Sequence, residues 1–202
     1  MIALPVMKLM QGKETDTFKA RYESLAGLEI PNDYLKKSRV YGFYQNKELV
    51  GGFMLSTSTE RLRTIELFIA PGNRREVYSE LSDLSLYTEV CCFWMERRIR
   101  KKKMVNILIW LKMAYQISRE KNPIILYGTQ SKGLAYLYGL PKVSTLFRSD
   151  VVNALNSYVF LTKRNEFVKG AWEMVFCKLL QRNRPKVLTN YHSPTEIIAM
   201  HR

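Results

Sequence analysis

Alternating apolar and polar stretches near the start of the chain predict a β-hairpin. The apolar run Val40–Tyr44 is followed by the polar residues 45–48 and then by a second apolar run, Leu49–Leu55. Two strands joined by a short polar turn give this pattern. Gly51 and Gly52 interrupt the second run, and paired glycines within a strand indicate a bulge or the close approach of another group.

The middle of the chain predicts a long strand followed by a buried helix. Leu84–Met95 is rich in aromatic and β-favouring residues, which is typical of a strand. Over about residues 104–120 the apolar positions wrap most of the circumference of a helix, which favours burial against a sheet. Shorter predicted elements flank this region: a strand within 3–10, a helix capped by Thr15 or Asp16 and reaching about Leu25, a helix over Arg74–Ser82, a strand over Ile124–Tyr127, a helix capped by Thr129 or Ser131, a strand over Tyr158–Thr162 and an amphipathic helix over Glu166–Gln181.

The order of these elements sets the fold class. The strand, helix and strand between residues 84 and 127 form a crossover unit, which normally makes a parallel pair. The hairpin before it is antiparallel, so we predict an α/β fold with a mixed sheet. The 202 residues, 47% of them hydrophobic and 25% charged, exclude collagen-like and wholly disordered chains. We expect a single domain over residues 1–185 and a C-terminal tail over 186–202.

Targeting and redox signals predict a cytoplasmic protein. No stretch approaches 18 uninterrupted apolar residues, so no transmembrane helix is expected. The start of the chain lacks the charged leader and cleavage site of a signal peptide. Cys91, Cys92 and Cys177 form no even disulfide framework and lack the spaced partners of a zinc site, so we expect reduced thiols. Adjacent residues of a strand point to opposite faces, and we expect this of Cys91 and Cys92.

The charge balance indicates an anionic partner. Lys and Arg number 32 against 18 Asp and Glu, a formal net charge of +14. Between the predicted strand and the predicted helix lie six cations in seven residues: Arg97, Arg98, Arg100, Lys101, Lys102 and Lys103. Free backbone N–H groups and the helix dipole already favour an anion at this point. A solvated charge run is the alternative, but cations here oppose the dipole, so we expect them to bind phosphate groups.

From about residue 38 to residue 148, the order and spacing of the elements resemble the GCN5-related N-acetyltransferase superfamily, in a divergent acyltransferase branch. In that family a hairpin precedes a long central strand, a loop that holds the pyrophosphate of coenzyme A, a helix, a further strand and a short helix ending in Leu-Tyr. Here Leu137-Tyr138-Gly139-Leu140 occupies the last position. The resemblance implies a mostly antiparallel central sheet with helices on both faces, and an acyl thioester as the donor substrate.

The phosphate loop departs from the family pattern. The family has Gln or Arg, two residues, a glycine, one residue, and then glycine or alanine, whereas this chain has Arg98-Ile99-Arg100-Lys101-Lys102-Lys103. Lysines replace both glycines, which otherwise let the backbone close on a pyrophosphate. The lysines can bind the phosphates of coenzyme A through their side chains. They can also bind the acidic surface of an acyl carrier protein, which carries the same phosphopantetheine arm, so both donors stay open.

The resemblance also implies residue roles. Tyr138 is the candidate acid that protonates the departing thiolate, and the backbone amides near Cys92 and Phe93 are candidate oxyanion donors. Glu89 lies on the predicted central strand and is a candidate base for the acceptor amine. Tyr138 and Glu89 each have a structural alternative. Tyr138 can be a packed helix residue, and Glu89 can face solvent or pair with an arginine.

Other residues give weaker indications of function. Tyr87, Phe93 and Trp94 can line a long acyl chain, although core packing explains these rings more simply. No metal cluster is visible in the sequence. A Ser–His–Asp or Cys–His triad is not expected, because His192 and His201 both fall in the predicted tail.

These features predict an N-acyltransferase. It would move an acyl group, which can be a fatty acyl group, from a coenzyme A or acyl-carrier-protein thioester to an amine or a peptide side chain. Two alternatives stay open. The basic segments 97–103 and 178–186, with tyrosines between them, are compatible with nucleic-acid binding. The missing glycines are compatible with a catalytically inactive binding module of the same fold.

Overall fold

The computed structural model of the chain describes residues 4–58, 60–81, 83–138 and 145–179. Its strands are β1 (Val6–Leu9), β2 (Arg39–Gln45), β3 (Glu48–Ser56), β4 (Tyr87–Met95), β5 (Ile124–Thr129), β6 (Thr145–Val152) and β7 (Leu155–Lys163). Its α-helices are α1 (Lys13–Ala26), α2 (Asn32–Lys37), α3 (Arg63–Phe68), α4 (Arg74–Leu81), α5 (Arg97–Arg100), α6 (Lys103–Ser118), α7 (Lys132–Tyr138) and α8 (Arg164–Leu179). None of the described helices is long and apolar enough to cross a membrane.

The strands form one seven-stranded sheet in the order β1-β2-β3-β4-β5-β7-β6. Strands β1 and β2, β2 and β3, β5 and β7, and β6 and β7 all pair antiparallel. The two strands of the crossover unit, β4 and β5, are neighbours in the sheet. The predicted α/β class with a mixed, mostly antiparallel sheet is confirmed.

The chain divides into two compact units. The first contains Met1–Thr57 and Val90–Gln116, and the second contains Ser58–Glu89 and Ile117–Arg202. Each unit has its own apolar core among the described residues. The core of the first includes Phe18, Tyr22, Val40, Met54 and Trp94. The core of the second includes Leu62, Ile65, Tyr87, Leu126 and Leu161. The predicted single domain stays a prediction, and the predicted tail 186–202 lies outside the described residues.

The predicted hairpin is confirmed, with a tighter turn than expected. Strands β2 and β3 are joined by Asn46 and Lys47 alone, and both residues have positive φ angles, 51° and 67°. Two consecutive positive φ values are typical of a two-residue turn that matches the twist of the strands. Both alternatives stated for the paired glycines are found: the register shifts beside Gly51, since Phe43 pairs with Gly51 and Tyr44 with Leu49, and the glycines also allow a close approach. A Cβ atom on Gly52 would collide with the carbonyl oxygen of Tyr41 and lie 2.8 Å from the ring of Phe18.

Several element boundaries differ from the predictions. Helix α1 begins at Lys13 after Gly12, so neither Thr15 nor Asp16 caps it. Residues 84–86 form a 3₁₀ turn, because the Asp83 carboxylate accepts the backbone N–H of Ser85 and bends the chain before β4 begins. Helices α2 and α3 and strand β6 were not predicted. Helix α8 is confirmed as far as Leu179, where the described residues end.

We expect the close approach at Gly52 to be essential for stability. Gly52→Ala should lower the free energy of unfolding by about 1–3 kcal/mol or more, because the added methyl group has to displace backbone and a core ring. The control is Gly72→Ala, where nothing lies within 4 Å of the added Cβ atom. Urea denaturation of both variants measures the difference. Equal stability of the two would contradict the packing described here.

Candidate functional site

Strand β4 contains an irregularity at Cys92. This residue has a φ of 52°, a left-handed conformation that is uncommon for a residue with a side chain. Cys92 is buried in the core of the first unit, and the adjacent Cys91 packs against the same core. Our prediction that they point to opposite faces is therefore wrong. A left-handed residue inside a strand breaks the alternation of side chains and re-aims the residues that follow, as a β-bulge does, and we call this irregularity the bulge.

The residues after the bulge resume the alternation. The Phe93 ring lies 4.8 Å from the Trp110 ring of α6, whereas the Trp94 ring lies 6.2 Å from the Phe18 ring of α1 (both between centroids). Trp94 is buried and belongs to the core of the first unit. Tyr87 is fully buried in the core of the second unit. Tyr87 and Trp94 are thus core residues, and Phe93 is half-buried.

The basic segment 97–103 is helical. Residues Arg97–Arg100 form α5, and α6 begins at Lys103, so the expected loop is replaced by a tight helical turn. Ile99, the only apolar residue of the segment, is fully buried. The buried side chain of Ile99 anchors the turn. Every cation of the segment is exposed to solvent.

One of the six cations is held by carboxylates. The Arg98 guanidinium pairs with the Glu48 carboxylate at 2.6 Å and with the Glu96 carboxylate, and Arg21 Nη1 lies 3.6 Å from Glu96. The hydrogen bond from Arg98 lowers the pKa of Glu48, and the hydrogen bond to Glu48 raises the pKa of Arg98. This chain of four charges was not predicted from the sequence, because Arg21 and Glu48 lie far along the chain from Glu96 and Arg98.

The remaining five cations form what we call the basic surface: Arg97, Arg100, Lys101, Lys102 and Lys103. All five side chains are exposed, and none forms an ion pair within the described residues. Five positive charges on two short turns produce a strong local field that attracts anions. The anion site predicted for 97–103 therefore stays a prediction with an accessible cationic surface to support it.

An open groove lies next to Arg98 in the first unit. It has a volume of about 470 Å³. Its lining residues are Glu14, Thr17, Arg21, Tyr44, Lys47, Glu48, Leu49 and Arg98. Acidic and basic side chains share its walls, so the groove lacks the single-signed charge of the basic surface.

In the second unit, Glu89 is fully buried and already hydrogen-bonded. Its carboxylate accepts the backbone N–H of Arg63 at 3.1 Å and the backbone N–H of Thr64. These are the first two amides of α3, which have no partner inside the helix. The carboxylate therefore caps α3, a role that the sequence did not indicate because α3 was not predicted.

Tyr138 is the last residue of α7. The Ser131 hydroxyl accepts the backbone N–H of Leu134 at 3.4 Å, which agrees with the predicted cap. The Tyr138 ring is packed edge-on against the Tyr127 ring at 4.9 Å and lies 5.8 Å from the Phe160 ring. Burial raises the pKa of the Tyr138 phenol above its ordinary value of 10.0. The phenol therefore stays protonated at neutral pH, as an acid requires.

Some predicted features cannot be placed. Gly139 and Leu140, which complete the Leu-Tyr-Gly-Leu sequence, lie outside the described residues, as do His192 and His201. The same holds for residues 180–186 of the second basic segment. Within the described residues, no group of three or more metal-ligating side chains could hold a metal ion.

Comparisons with known proteins find similarity in structure only. No family model and no curated protein sequence matches the chain. A CoA-dependent acyl-homoserine lactone synthase, BjaI, solved with SAM and isopentyl-CoA, matches with a TM-score of 0.57 and 12% identity over 95% of this chain and 94% of that one. The N-acyl amino acid synthase FeeM from uncultured soil microbes matches with a TM-score of 0.54 and 13% identity over 81% and 94%. Arabidopsis thaliana NAA60, solved with a bisubstrate analogue, matches with a TM-score of 0.52 and 9% identity over 79% and 98%.

The chain has the GCN5-related N-acetyltransferase fold. The resemblance noted from the order of elements is therefore confirmed for the fold. The GCN5-related N-acetyltransferase fold here carries a bulged β4 that leads into a cationic helix start in one unit. It carries Glu89 and Tyr138 in the other. At these identities the likeness establishes the fold, and the roles of individual residues stay proposals.

The capping role of Glu89 can be tested by stability. Glu89→Ala should lower the free energy of unfolding by roughly 2–6 kcal/mol, because each buried donor left unsatisfied costs about 1–3 kcal/mol. Glu89→Gln should lie between this variant and the wild type, since its amide keeps one acceptor oxygen. Chemical denaturation measures all three proteins.

The neighbouring Thr88 offers a matched control. It is also fully buried on β4, and its hydroxyl makes no hydrogen bond within the described residues. Thr88→Val should therefore be neutral or stabilising, because no hydrogen bond is broken. If Glu89→Ala is as stable as Thr88→Val, Glu89 does not cap α3.

Proposed function

We propose that this protein is an N-acyltransferase that moves an acyl group from a phosphopantetheine thioester to an amine or a peptide side chain. One observation carries the proposal: within the GCN5-related N-acetyltransferase fold, a bulged central strand leads directly into an exposed cationic helix start. The solved proteins that share the fold include an N-acyl amino acid synthase and CoA-dependent acyl-homoserine lactone synthases. The donor is coenzyme A or a carrier protein, and the acyl chain can be a fatty chain.

The reaction asks the protein for positioning and for proton transfer. The acceptor nitrogen attacks the thioester carbonyl carbon, the C–S bond breaks, and an amide and a free thiol result. The amine loses a proton and the departing thiolate gains one, so no oxidant or metal takes part in the balance. Backbone N–H groups near the carbonyl oxygen stabilise the negative charge that develops on it.

The bulge at Cys92 supports the oxyanion role of the backbone near Cys92 and Phe93. In a regular strand, N–H groups alternate between the two neighbouring strands. A left-handed residue disrupts this ladder locally and turns an amide away from its usual direction. As the resemblance implies, we assign the developing oxyanion to the backbone N–H groups near Cys92 and Phe93.

We assign the acid to Tyr138 and the base to Glu89. Burial raises the pKa of the Tyr138 phenol, so the proton is present at neutral pH, although the same shift makes the phenol a weaker acid. The Glu89 carboxylate has about four acceptor positions on its two oxygens, and the amides of Arg63 and Thr64 use at least two of them. Glu89 can accept a proton from an amine, directly or through water, while it still caps α3.

The proposed donor site predicts stabilisation by thioesters. Octanoyl-CoA and octanoyl-pantetheine should raise the melting temperature, since a ligand at one hundred times its dissociation constant stabilises by about 2.7 kcal/mol. Acetyl-, octanoyl- and palmitoyl-CoA compared in one thermal-shift series measure the preferred chain length. A short oligonucleotide serves as the control. A shift with the oligonucleotide but with none of the thioesters would overturn the proposal in favour of nucleic-acid binding.

The acid role of Tyr138 predicts a loss of rate with intact binding. Tyr138→Phe should slow thiol release by about 10²–10⁴-fold, the usual contribution of a general acid. Its octanoyl-CoA stabilisation should match the wild type. Thiol release is followed against a panel of the twenty amino acids and short lysine peptides as acceptors.

The control and the pH dependence sharpen this test. Tyr158→Phe removes a half-buried phenol from the same unit and should leave the rate unchanged. Because the Tyr138 pKa is raised, the wild-type rate should not fall from loss of this proton until the pH exceeds 10. A fully active Tyr138→Phe would refute the assignment. Donor binding without thiol release from wild type and every acceptor would instead identify an inactive binding module.

A further inference from the structure

We propose that the basic surface docks an acidic acyl carrier protein, so that the donor thioester arrives on a protein-bound phosphopantetheine arm. The inference rests on the proposed function and names its donor. Three observations support it: the helical fold of the segment 97–103, the exposure of its cations, and the ion pairs of Arg98 with Glu48 and Glu96.

The backbone of this segment is already committed to hydrogen bonds within the protein. The N–H groups of Ile99 and Arg100 donate to the Glu96 carbonyl at 3.0 and 3.1 Å. Those of residues 101 and 102 donate to the carbonyls of residues 97 and 99 at 3.3 and 3.0 Å. A pyrophosphate cradled by backbone amides needs such N–H groups to be available. At 99–102 they are not, so these four residues can contact a donor through their side chains alone.

Its side chains suit a broad partner better than a small one. Arg97, Arg100 and Lys101–Lys103 are exposed and make no ion pair within the described residues. Long flexible cations lose rotamer freedom when one small ligand fixes several of them together. A protein surface rich in carboxylates can instead meet all five charges over a wide area and be steered to them from a distance. Charge complementarity therefore favours an acidic protein over free coenzyme A.

The chain of charges around Arg98 limits this surface on one side. The Arg98 guanidinium pairs with the Glu48 and Glu96 carboxylates, so, unlike the other five cations, it is engaged in ion pairs within the described residues. The buried side chain of Ile99 holds the turn in place from below. The five remaining cations are thus presented outward from a fixed backbone, which is the arrangement of a docking surface.

The carrier protein takes part in the same balanced reaction. The acceptor amine attacks the carbonyl carbon of the acyl group on the arm, and the bond between that carbon and the arm's sulfur breaks. The amine's proton is lost to the base, and the thiolate is protonated. The products are the amide and the carrier protein with a free phosphopantetheine thiol.

Isothermal titration of the full chain tests the proposal with three probes: an octanoylated acyl carrier protein, octanoyl-CoA and octanoyl-pantetheine. We expect the carrier protein to bind at least tenfold more tightly than octanoyl-CoA. Carrier protein without the phosphopantetheine arm should retain measurable binding, because the protein surface itself is recognised. Binding of the carrier protein should weaken steeply as salt is raised, since exposed charges are screened.

A pair of charge-matched variants locates the contact. Lys101→Glu, Lys102→Glu and Lys103→Glu combined should weaken carrier-protein binding at least tenfold and leave octanoyl-pantetheine unchanged. The control combines Lys13→Glu, Lys36→Glu and Arg75→Glu, three exposed positions that change the net charge equally. It should change carrier-protein binding less than twofold. Thermal melting verifies that both variants are folded.

The outcomes separate the two proposals. If octanoyl-CoA binds as tightly as the carrier protein, or if both triple variants weaken the carrier protein equally, the docking surface is refuted and the acyltransferase proposal stands. If none of the three probes binds, the proposed function itself fails. If an oligonucleotide binds and the triple variant at 101–103 abolishes this binding alone, the basic surface serves a nucleic acid.

Discussion

The left-handed conformation of Cys92 is the constraint on which the described site depends. It lies in the middle of β4, where both neighbouring residues are extended, and it places two consecutive cysteines against one core. From that point the alternation is shifted by one residue, so Phe93 packs on Trp110 and Trp94 packs on Phe18. A residue with a side chain adopts this conformation at an energetic cost, and such costs persist where the surrounding packing enforces them. Here the two aromatic contacts directly after the bulge, that of the half-buried Phe93 and that of the buried Trp94, supply that enforcement.

The second constraint is the direction of the helix dipole, which decides whether the charges that follow β4 are favourable. Arg97 to Lys103 lie at the positive end of α6, where cations are unfavourable unless an anion compensates them. The protein compensates one of them internally through Glu48 and Glu96 and leaves five uncompensated within the described residues. A protein that needed only a stable turn would gain more from polar or acidic residues here. The acidic partner that we propose would supply the missing negative charge at these five positions.

The sequence predicted the elements whose patterns are local. The hairpin, β4, α6 and the cap at Ser131 each follow from neighbouring residues, and all appear close to their expected bounds. What it did not predict depends on residues far apart along the chain. Helix α3 has a distant cap, since Glu89 lies 25 residues after Thr64. The helical form of 97–100 depends on the burial of Ile99, and the pairing of Arg98 depends on Glu48, 50 residues earlier. None of these interactions produces a periodic pattern of apolar and polar residues in the sequence.

Glu89 caps α3 and is also the proposed base, so the stability of the helix and the proposed chemistry depend on the same carboxylate. A fully buried carboxylate needs compensation, and the two amides at the start of α3 provide it. The same amides hold both oxygens in fixed directions. A base that is oriented in this way loses no orientation when the acceptor amine arrives. The capping bonds and a catalytic role are thus compatible, and the helix that the sequence failed to reveal is what would orient the carboxylate.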